Sequence, residues 1–580
     1  MAAVVTALVL LIFLAGFRFY ARYIGQTIYQ DEDPEFVTPA HELEDGRDFV
    51  PTKRPVLLGH HFTSIAGAAP IIGPCVAAYW GWLPALVWVV LGTVFMGAVH
   101  DYGALVVSVR EKGRSIADVA AKVVSGRVRL MFLCFIMVLS WLVLAVFAMA
   151  IAGLFMAVPT SVLPVNIAIV VALIIGWLLY KKGMPPLVPS LVALVVLYVF
   201  VWIGTKVPVS LADVGMDKGQ ANLTWILALF VYSAVASLLP VWLLLQPRDY
   251  VNSHQLVVGL GLLFLGIFVA HPDFDAPAVR LSEADAPSMF PFLFVTIACG
   301  AISGFHGLVS SGTTSKQLDK LEDARLIGYG SMLGEGALAL ASTMAAVAGI
   351  GLVGFCALPG QGPVEDLSWA VYYDSWAHAS GNKAAAFVLG GAAFLQTLGF
   401  SAVLAQTLMA VLVISFASTT LDTATRIERF IIAEIGDATK IRALTNPYVA
   451  TTIAVVPAIL LATMKSADGH EAAWALWPVF GASNQMIASL TLLVLALYYW
   501  QRRRPVLPLV VPMLFVMAVT MFSLVLHLVE FWAQERWLLL GLTVVLSALI
   551  VWMSVESLAL FLRLLRERRE GGGEGDVSRS

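Results

Sequence analysis

Charged side chains are scarce in this 580-residue chain. Asp, Glu, Lys and Arg together make up 13% of it, whereas hydrophobic residues make up 59% and the mean hydropathy is +0.86. About a quarter of the residues of a typical soluble domain are charged, so this composition excludes that class. Apolar runs long enough to cross a bilayer recur from the first residues almost to the last, which predicts an all-α polytopic membrane protein.

The sequence also lacks the short motifs of the common enzyme classes. It contains no HExxH, GxSxG, Walker A or CxxC motif, and its four cysteines stand singly in apolar segments. We therefore predict that the protein is not an enzyme and needs no cofactor or metal centre. A membrane hydrolase formed by converging histidines and carboxylates remains as a minor alternative. The N-terminus lacks the basic region of a signal peptide, so its apolar run is expected to be a retained first span.

Hydropathy predicts about fifteen transmembrane helices. The predicted spans are 2–19, 55–80, 82–108, 129–156, 162–180, 185–203, 222–245, 255–270, 290–311, 326–357, 384–416, 448–464, 474–500, 506–528 and 536–563. Alternate connections carry the basic runs, among them QPRDY, TRIERF and QRRRP. By the positive-inside rule these connections are cytoplasmic, which places the N-terminus outside and the C-terminus in the cytoplasm of the inner membrane.

The segment PVLLGHHFTSIAGAAPIIGP (55–74) predicts a broken helix. Its proline and glycine residues interrupt helical hydrogen bonding, and an irregular backbone at membrane depth is tolerated only where it is buried in protein or lines a cavity. Free backbone groups at such a break can bind ligands. The alternative is a proline kink with buried histidines. The candidate substrate-binding residues here are Gly59, His60, His61, Thr63, Ser64 and Gly67.

A second segment, GFHGLVSSG (304–312), has the same G-x-H-x5-G pattern as GHHFTSIAG (59–67). In the predicted topology the two segments run in opposite directions, which is typical of inverted-repeat transporters. Spans two to six and nine to thirteen would then be two five-helix repeats. The candidate substrate-binding residues of the second segment are Ser303, His306, Ser310 and Gly312.

This pattern predicts six regions. They are a first helix and cytoplasmic linker (1–54), the first repeat (55–203), an intervening helix pair (204–289), the inverted repeat (290–500), a C-terminal helix pair (501–563) and a flexible tail (564–580).

Other polar residues lie inside predicted spans. Intramembrane carboxylates are costly, so Glu335 is a candidate for proton coupling, with a structural hydrogen bond as the alternative. His100 and Asp101 form either a proton relay or an ordinary interfacial hydrogen bond. Asn484 and Gln485 serve either the substrate or helix packing.

Three consecutive hydroxyls, Ser418, Thr419 and Thr420, offer hard oxygen ligands for sodium. Asp422 follows them near the predicted end of a span. It is a candidate for ion coupling, although an ordinary helix cap is favoured.

Several stretches together resemble the carbon starvation protein A family. They are GHHFTSIAGAAPIIGP, GAVHDYGALVVSVREKGRSIADVA, PFLFVTIACGAISGFHGLVSSGTTSKQL, IGYGSMLGEG, STTLDTATR and WPVFGASNQMIASL. The resemblance implies an inner-membrane protein of the amino acid–polyamine–organocation superfamily, with a LeuT-like five-plus-five inverted-repeat core. It also implies uptake of peptides, or proton-coupled uptake of pyruvate, during carbon starvation. Span two would be the first unwound helix of that core, span nine the sixth, and span eleven the helix that often helps to hold sodium.

These observations predict a secondary active transporter for a small carboxylate nutrient, either pyruvate or short peptides, driven by protons or sodium. The half-helix amides near Gly67 and Gly312 would receive the carboxylate. His61 and His306 would line the site, and Glu335 would be the coupling acid. The alternative is a passive channel for small organic solutes.

Overall fold

The described part of the chain is mostly helical. A computed structural model describes residues 1–281, 286–358, 362–381, 384–464 and 477–571. Helices satisfy their own backbone hydrogen bonds, which is the requirement for a chain that crosses hydrocarbon. Within the described residues, twelve helices are long and apolar enough to span a membrane, or thirteen if one bent pair counts as a span. The predicted helical, multi-span membrane architecture is therefore confirmed, with one short β hairpin as the exception.

The main helices are numbered here in chain order. They are α1 (Ala2–Tyr29), α2 (Arg54–Ile65), α3 (Ala69–Trp80), α4 (Trp82–Arg110), α5 (Ile116–Val123), α6 (Gly126–Ala157), α7 (Pro159–Tyr180), α8 (Leu187–Gly204), α9 (Lys218–Leu238), α10 (Leu245–Ala270), α11 (Met289–Thr296), α12 (Gly304–Gly312), α13 (Leu321–Leu352), α14 (Ala385–Thr397), α15 (Ala402–Thr439), α16 (Pro447–Thr463), α17 (Trp477–Gln501), α18 (Leu507–Ala533) and α19 (Trp537–Gly571). Short helices cover Pro39–Glu42, Trp369–Tyr372 and Trp376–Gly381. The strands β1 (Phe355–Leu358) and β2 (Gly362–Glu365) pair antiparallel.

Several predicted spans differ from the observed helices, and three of them are divided or end in another element. Residues 290–311 form two short helices, α11 and α12, and residues 384–416 fall on α14 and the first part of α15. The predicted span 326–357 ends at Leu352, and its last residues enter the β hairpin. The count of membrane-long helices is below fifteen because α11, α12, α14 and α16 are too short to be included.

Two predicted cytoplasmic loops are also wrong. QPRDY (246–250) lies inside α10, and TRIERF (425–430) lies inside α15. Arg248 is 3% exposed and Asp249 is fully buried. Hydropathy treats each charge as if it faced solvent, whereas Arg248 and Asp249 are paired inside the protein.

The helices near the two breaks occupy the centre of the molecule. α6 packs along α15, α2 packs along α10, and α17 packs along α18 and α12. α13 and α17 are buried on almost every side, whereas α1, α7 and α19 expose most of their apolar surface. In a membrane protein such exposed apolar faces contact lipid.

Candidate functional site

The first predicted break is present between α2 and α3. The two helices meet at an angle of 44°, and residues 66–68 between them are not helical. The last carbonyls of α2 therefore lack intrahelical partners. Two hydroxyls of α15 supply them: Thr419 Oγ1 donates to Thr63 O at 2.9 Å, and Thr420 Oγ1 donates to Ser64 O at 3.2 Å. The α15 hydroxyls thus hold the broken end of α2.

The second break separates α11 from α12 at residues 297–303. Asn484 holds it, because its Oδ1 accepts from the Phe305 amide at 2.8 Å and its Nδ2 donates to Ser303 Oγ at 3.0 Å. Gln485 Nε2 donates to Phe294 O at 2.6 Å. Both amides are bonded to protein groups, which favours the helix-packing role over substrate contact.

The two G-x-H-x5-G segments do not occupy equivalent positions. In the first segment, most of the pattern lies in α2 before the break, and its last residue, Gly67, lies within the break. In the second, the pattern follows the break, and Gly312 is the last residue of α12. A Cβ on Gly312 would meet Ile427 at 3.5 Å, which is ordinary contact. The matching pattern is therefore not evidence of a repeat, and the two glycines have different surroundings.

Four of the predicted polar residues form one buried group, here called the acid–histidine cluster (His100, Asp101, His306 and Glu335). His306 Nδ1 lies 2.9 Å from Asp101 Oδ2, and His306 Nε2 lies 3.0 Å from Glu335 Oε2. His100 Nδ1 lies 2.7 Å from Asp101 Oδ1. All four side chains are fully buried.

The cluster is suited to proton transfer. His306 bridges two carboxylates, so a proton on its imidazole is adjacent to both acids. Two ionised carboxylates beside neutral histidines would leave two uncompensated charges in the interior, which is strongly unfavourable. The Glu335 oxygens are close to His306, yet the contact is too poorly aligned for a hydrogen bond, and they have no other hydrogen-bond partner among the described residues. Glu335 is therefore the acid of the cluster that is least fixed by its surroundings.

His306 also faces a cavity between the two breaks. The cavity is lined by Gly67, Phe147, Cys299, Thr420 and His306, among others, and its volume of about 10 Å³ is room for about one water molecule. The observed conformation is thus closed around the centre.

The remaining candidates of α2 point in different directions. His61 Nδ1 bonds Thr314 Oγ1 at 2.9 Å, and its buried Nε2 has no partner in the described part of the chain. His60 Nδ1 lies 2.7 Å from Asp249 Oδ2. Thr63 Oγ1 donates to Gly59 O, and Ser64 Oγ donates to Asp249 Oδ2 at 3.4 Å.

Close packing explains Gly59, because a Cβ there would lie 2.6 Å from Ser253 Oγ of α10. Ser310 is buried, and its hydroxyl has no hydrogen-bond partner among the described residues. Ser418 lines a separate cavity, so the three consecutive hydroxyls of α15 do not face one site.

A second buried group, the arginine network (His60, Tyr232, Arg248, Asp249 and Asp422), joins α2, α9, α10 and α15. Arg248 donates to Asp422 Oδ2 and to the Tyr232 hydroxyl, and it pairs with Asp249 Oδ1 at 3.1 Å. Asp422 also accepts from the Tyr232 hydroxyl at 2.8 Å. The cap expected at Asp422 is wrong, because this residue lies inside α15 and pairs with Arg248.

The sequence prediction missed Arg248 and Asp249 because it placed QPRDY in a loop, and it did not single out Tyr232 within the predicted span 222–245. An available signal was that Arg248 and Asp249 are adjacent opposite charges between apolar runs, a composition that also fits a buried pair.

We expect Arg248→Met to destabilise the protein by about 3–5 kcal/mol, because it leaves Asp422 and Asp249 buried without their cation. Adding Asp422→Asn should recover much of this loss, since Asp249 keeps His60 as its partner. Thermal unfolding of purified protein measures both effects, and Arg442→Met at an exposed position is the matched control. Equal unfolding temperatures for Arg248→Met and wild type would contradict the network.

Comparison with known proteins identifies the family. The chain matches the family described as "Carbon starvation protein CstA" over residues 1–359 and 361–523. It is 33% identical over 548 residues to a protein named peptide transporter CstA from Mycobacterium tuberculosis (strain CDC 1551 / Oshkosh), covering 85% of this chain and 70% of the relative. It is 32% identical over 581 residues to the pyruvate/proton symporter BtsT of Escherichia coli (strain K12), covering 89% and 80%.

A protein named peptide transporter CstA from M. tuberculosis (strain ATCC 25618 / H37Rv) is 39% identical over 342 residues, which cover 58% of this chain and 45% of that relative. A solved structure of a manganese transporter from Eremococcus coleocola overlaps 89% of this chain and 99% of its own, with 12% identity and a TM-score of 0.49, too low to support an inference. The family match over nearly the whole chain and the two long alignments show that this chain belongs to the carbon starvation protein CstA family.

Proposed function

We propose that the protein is a secondary active transporter that imports a small carboxylate nutrient, pyruvate or a short peptide, together with protons when carbon is scarce. The observation that carries this proposal is that His306 contacts both the central cavity and the buried acids. It lines the central cavity and also lies between Asp101 and Glu335. Substrate and proton would therefore meet at one side chain, which would couple their movements directly.

The first break is the better candidate for the substrate carboxylate. At the start of α3, Pro70 has no amide hydrogen and the Ile71 and Ile72 amides donate to Ala68 O. The Ala68 and Ala69 amides remain without an acceptor among the described residues, and a helix N-terminus favours negative charge. At the second break the Phe305 amide is already bonded to Asn484. The carboxylate would therefore lie near Gly67, with His306 on the opposite side of the cavity.

Protons are favoured over sodium as the coupling ion. The Thr419 and Thr420 hydroxyls already donate to the carbonyls of Thr63 and Ser64, so a sodium ion bound by these groups would compete with those hydrogen bonds. The acid–histidine cluster offers instead two carboxylates bridged by an imidazole. A relative named as a pyruvate/proton symporter is consistent with that choice.

The packing favours a modified division into two five-helix halves. α10 packs against α2, α13, α14 and α15, while α17 packs in the corresponding way against α12, α4, α5 and α6. The first half would then be α2–α3, α4, α6, α9 and α10, and the second α11–α12, α13, α15, α16 and α17. On this assignment α7 and α8 are an insertion, whereas the sequence division counted them within the first half. The N-terminus would lie outside the cell and the C-terminus in the cytoplasm of the inner membrane.

Uphill uptake tests the proposal. Proteoliposomes that contain the purified protein should accumulate labelled pyruvate or a labelled dipeptide above its external concentration when the outside is acidic. A protonophore should collapse the accumulation, and an imposed sodium gradient alone should not replace the pH gradient. A passive channel would equilibrate the substrate without accumulation, which would contradict active transport.

A further inference from the structure

A polar cavity lies at one end of the helix bundle, away from the central site. It has a volume of about 440 Å³ and is lined by residues at the ends of three helices: Tyr29 of α1, Arg110 of α4, and Tyr498 and Tyr499 of α17. Arg502 and Arg504, just beyond α17, complete its basic wall. In the proposed topology these helix ends lie at the cytoplasmic surface of the membrane, at the depth of lipid headgroups.

The charges of this cavity do not balance. Arg110, Arg502 and Arg504 line it together with a single carboxylate, Glu111, which leaves two excess positive charges. Glu111 is itself shared, because Lys122 Nζ lies 2.5 Å from its Oε2 and Arg502 lies 3.6 Å from its Oε1.

The two other guanidinium groups are not neutralised by an acid. Arg110 donates to the backbone carbonyl of Gln30 at 2.6 Å, and neither Arg110 nor Arg504 has a carboxylate partner in the described part of the chain. Both therefore retain an uncompensated charge beside the cavity.

A buried hydroxyl adds a second, independent observation. Tyr499 lines the cavity and is 3% exposed, yet its hydroxyl has no hydrogen-bond partner among the described residues. A buried hydroxyl without a partner is unfavourable unless a ligand or water completes it. Arg502 lies over the Tyr498 ring at 3.4 Å, so its guanidinium is already oriented at the cavity wall.

We propose that this cavity binds a phosphate-bearing anion, either the headgroup of an anionic phospholipid or free phosphate, through Arg110, Arg502 and Arg504. Guanidinium groups match the geometry of phosphate oxygens and form charge-assisted hydrogen bonds with them. Basic pockets between helices at the cytoplasmic surface suit acidic headgroups. The Tyr499 hydroxyl would donate to the same phosphate.

Binding to purified protein in detergent tests the proposal. The probes are dioleoylphosphatidylglycerol, dioleoylphosphatidylcholine and inorganic phosphate at matched ionic strength, with bound lipid counted by native mass spectrometry. Wild type should prefer the phosphatidylglycerol. The double variant Arg502→Gln/Arg504→Gln should bind it on the order of tenfold more weakly, because two positive charges near the headgroup are lost.

Arg503 provides the matched control. It belongs to the same basic run but does not line the cavity, so Arg503→Gln should bind phosphatidylglycerol as wild type does. Tyr499→Phe removes a single hydroxyl and should weaken binding by about threefold or more, which provides a second test if the double variant does not fold.

Each outcome of this experiment is decisive. If phosphatidylglycerol is preferred, its displacement by inorganic phosphate would assign the site to free phosphate, and lack of displacement would assign the site to the headgroup. Equal binding of the two lipids without any effect of phosphate would overturn the proposal. Equal losses in the double variant and in Arg503→Gln would also overturn it, because they would indicate diffuse surface charge.

Discussion

Glu335→Gln is expected to abolish uptake driven by a pH gradient while leaving exchange of internal for external substrate largely intact. The neutral amide imitates the protonated acid, so the loaded transporter can still change conformation, but it cannot release a proton. Glu335 is fully buried beside His306, and its carboxylate is not held by a hydrogen bond among the described residues. Initial rates of uptake and of exchange in the same proteoliposomes measure the two activities.

The control for this variant is Glu322→Gln, because Glu322 is an exposed carboxylate of the same helix, α13. It should transport as wild type does. If Glu335→Gln loses exchange together with driven uptake and also unfolds at a lower temperature, Glu335 has a structural role and the coupling hypothesis fails.

Gly67→Ala is expected to reduce substrate uptake by about tenfold or more. A Cβ at this position would lie 2.7 Å from Thr420 Oγ1 and 3.0 Å from Phe147 Cε2, in a cavity with room for about one water molecule. Overpacking of this kind costs about 1–3 kcal/mol, and about 1.4 kcal/mol corresponds to tenfold. The displaced Thr420 would also lose its hydrogen bond to Ser64 O at the broken end of α2.

Gly312→Ala is the matched control, since it makes the same chemical change where the added Cβ finds ordinary contact distances. It should retain nearly full uptake at equal protein levels. Equal losses in the two variants would show that the space around Gly67 is not what limits transport.

The sequence predicted the first break because proline and glycine act locally on backbone geometry. The second break was inferred from the matching pattern at 304–312, whereas the structure places it before that pattern, at residues 297–303. The sequence also predicted the members of the acid–histidine cluster, since a carboxylate or histidine in an apolar run is conspicuous by itself. It did not predict that His306 bridges Asp101 and Glu335. That contact joins Asp101 of α4 to the consecutive helices α12 and α13, with 205 residues between Asp101 and His306, and local patterns carry no information about such contacts.

The arginine network shows where the sequence prediction failed. Arg248 and Asp249 were assigned to a loop because hydropathy counts each charge as a cost, whereas a buried charge that meets its counter-charge is tolerated. The prediction that Asp422 caps a helix failed for the same reason. Its position in the chain suited a cap, and only the fold reveals Arg248 opposite it.

The similarity of the two G-x-H-x5-G segments was misleading in a different way. Both segments adjoin a break, so each part of the prediction had a physical basis. The predicted equivalence of the two segments had no such basis, because one pattern precedes its break and the other follows it.

Proton movement driven by substrate tests the central claim most directly. Proteoliposomes with a trapped pH-sensitive dye, at equal internal and external pH and with membrane potential clamped at zero, should acidify internally when pyruvate or a dipeptide is added outside. The acidification should exceed that of protein-free liposomes, which corrects for direct permeation of the acid, and Glu335→Gln should remove the excess. Entry of labelled substrate through wild-type protein without any excess acidification would contradict proton-coupled import.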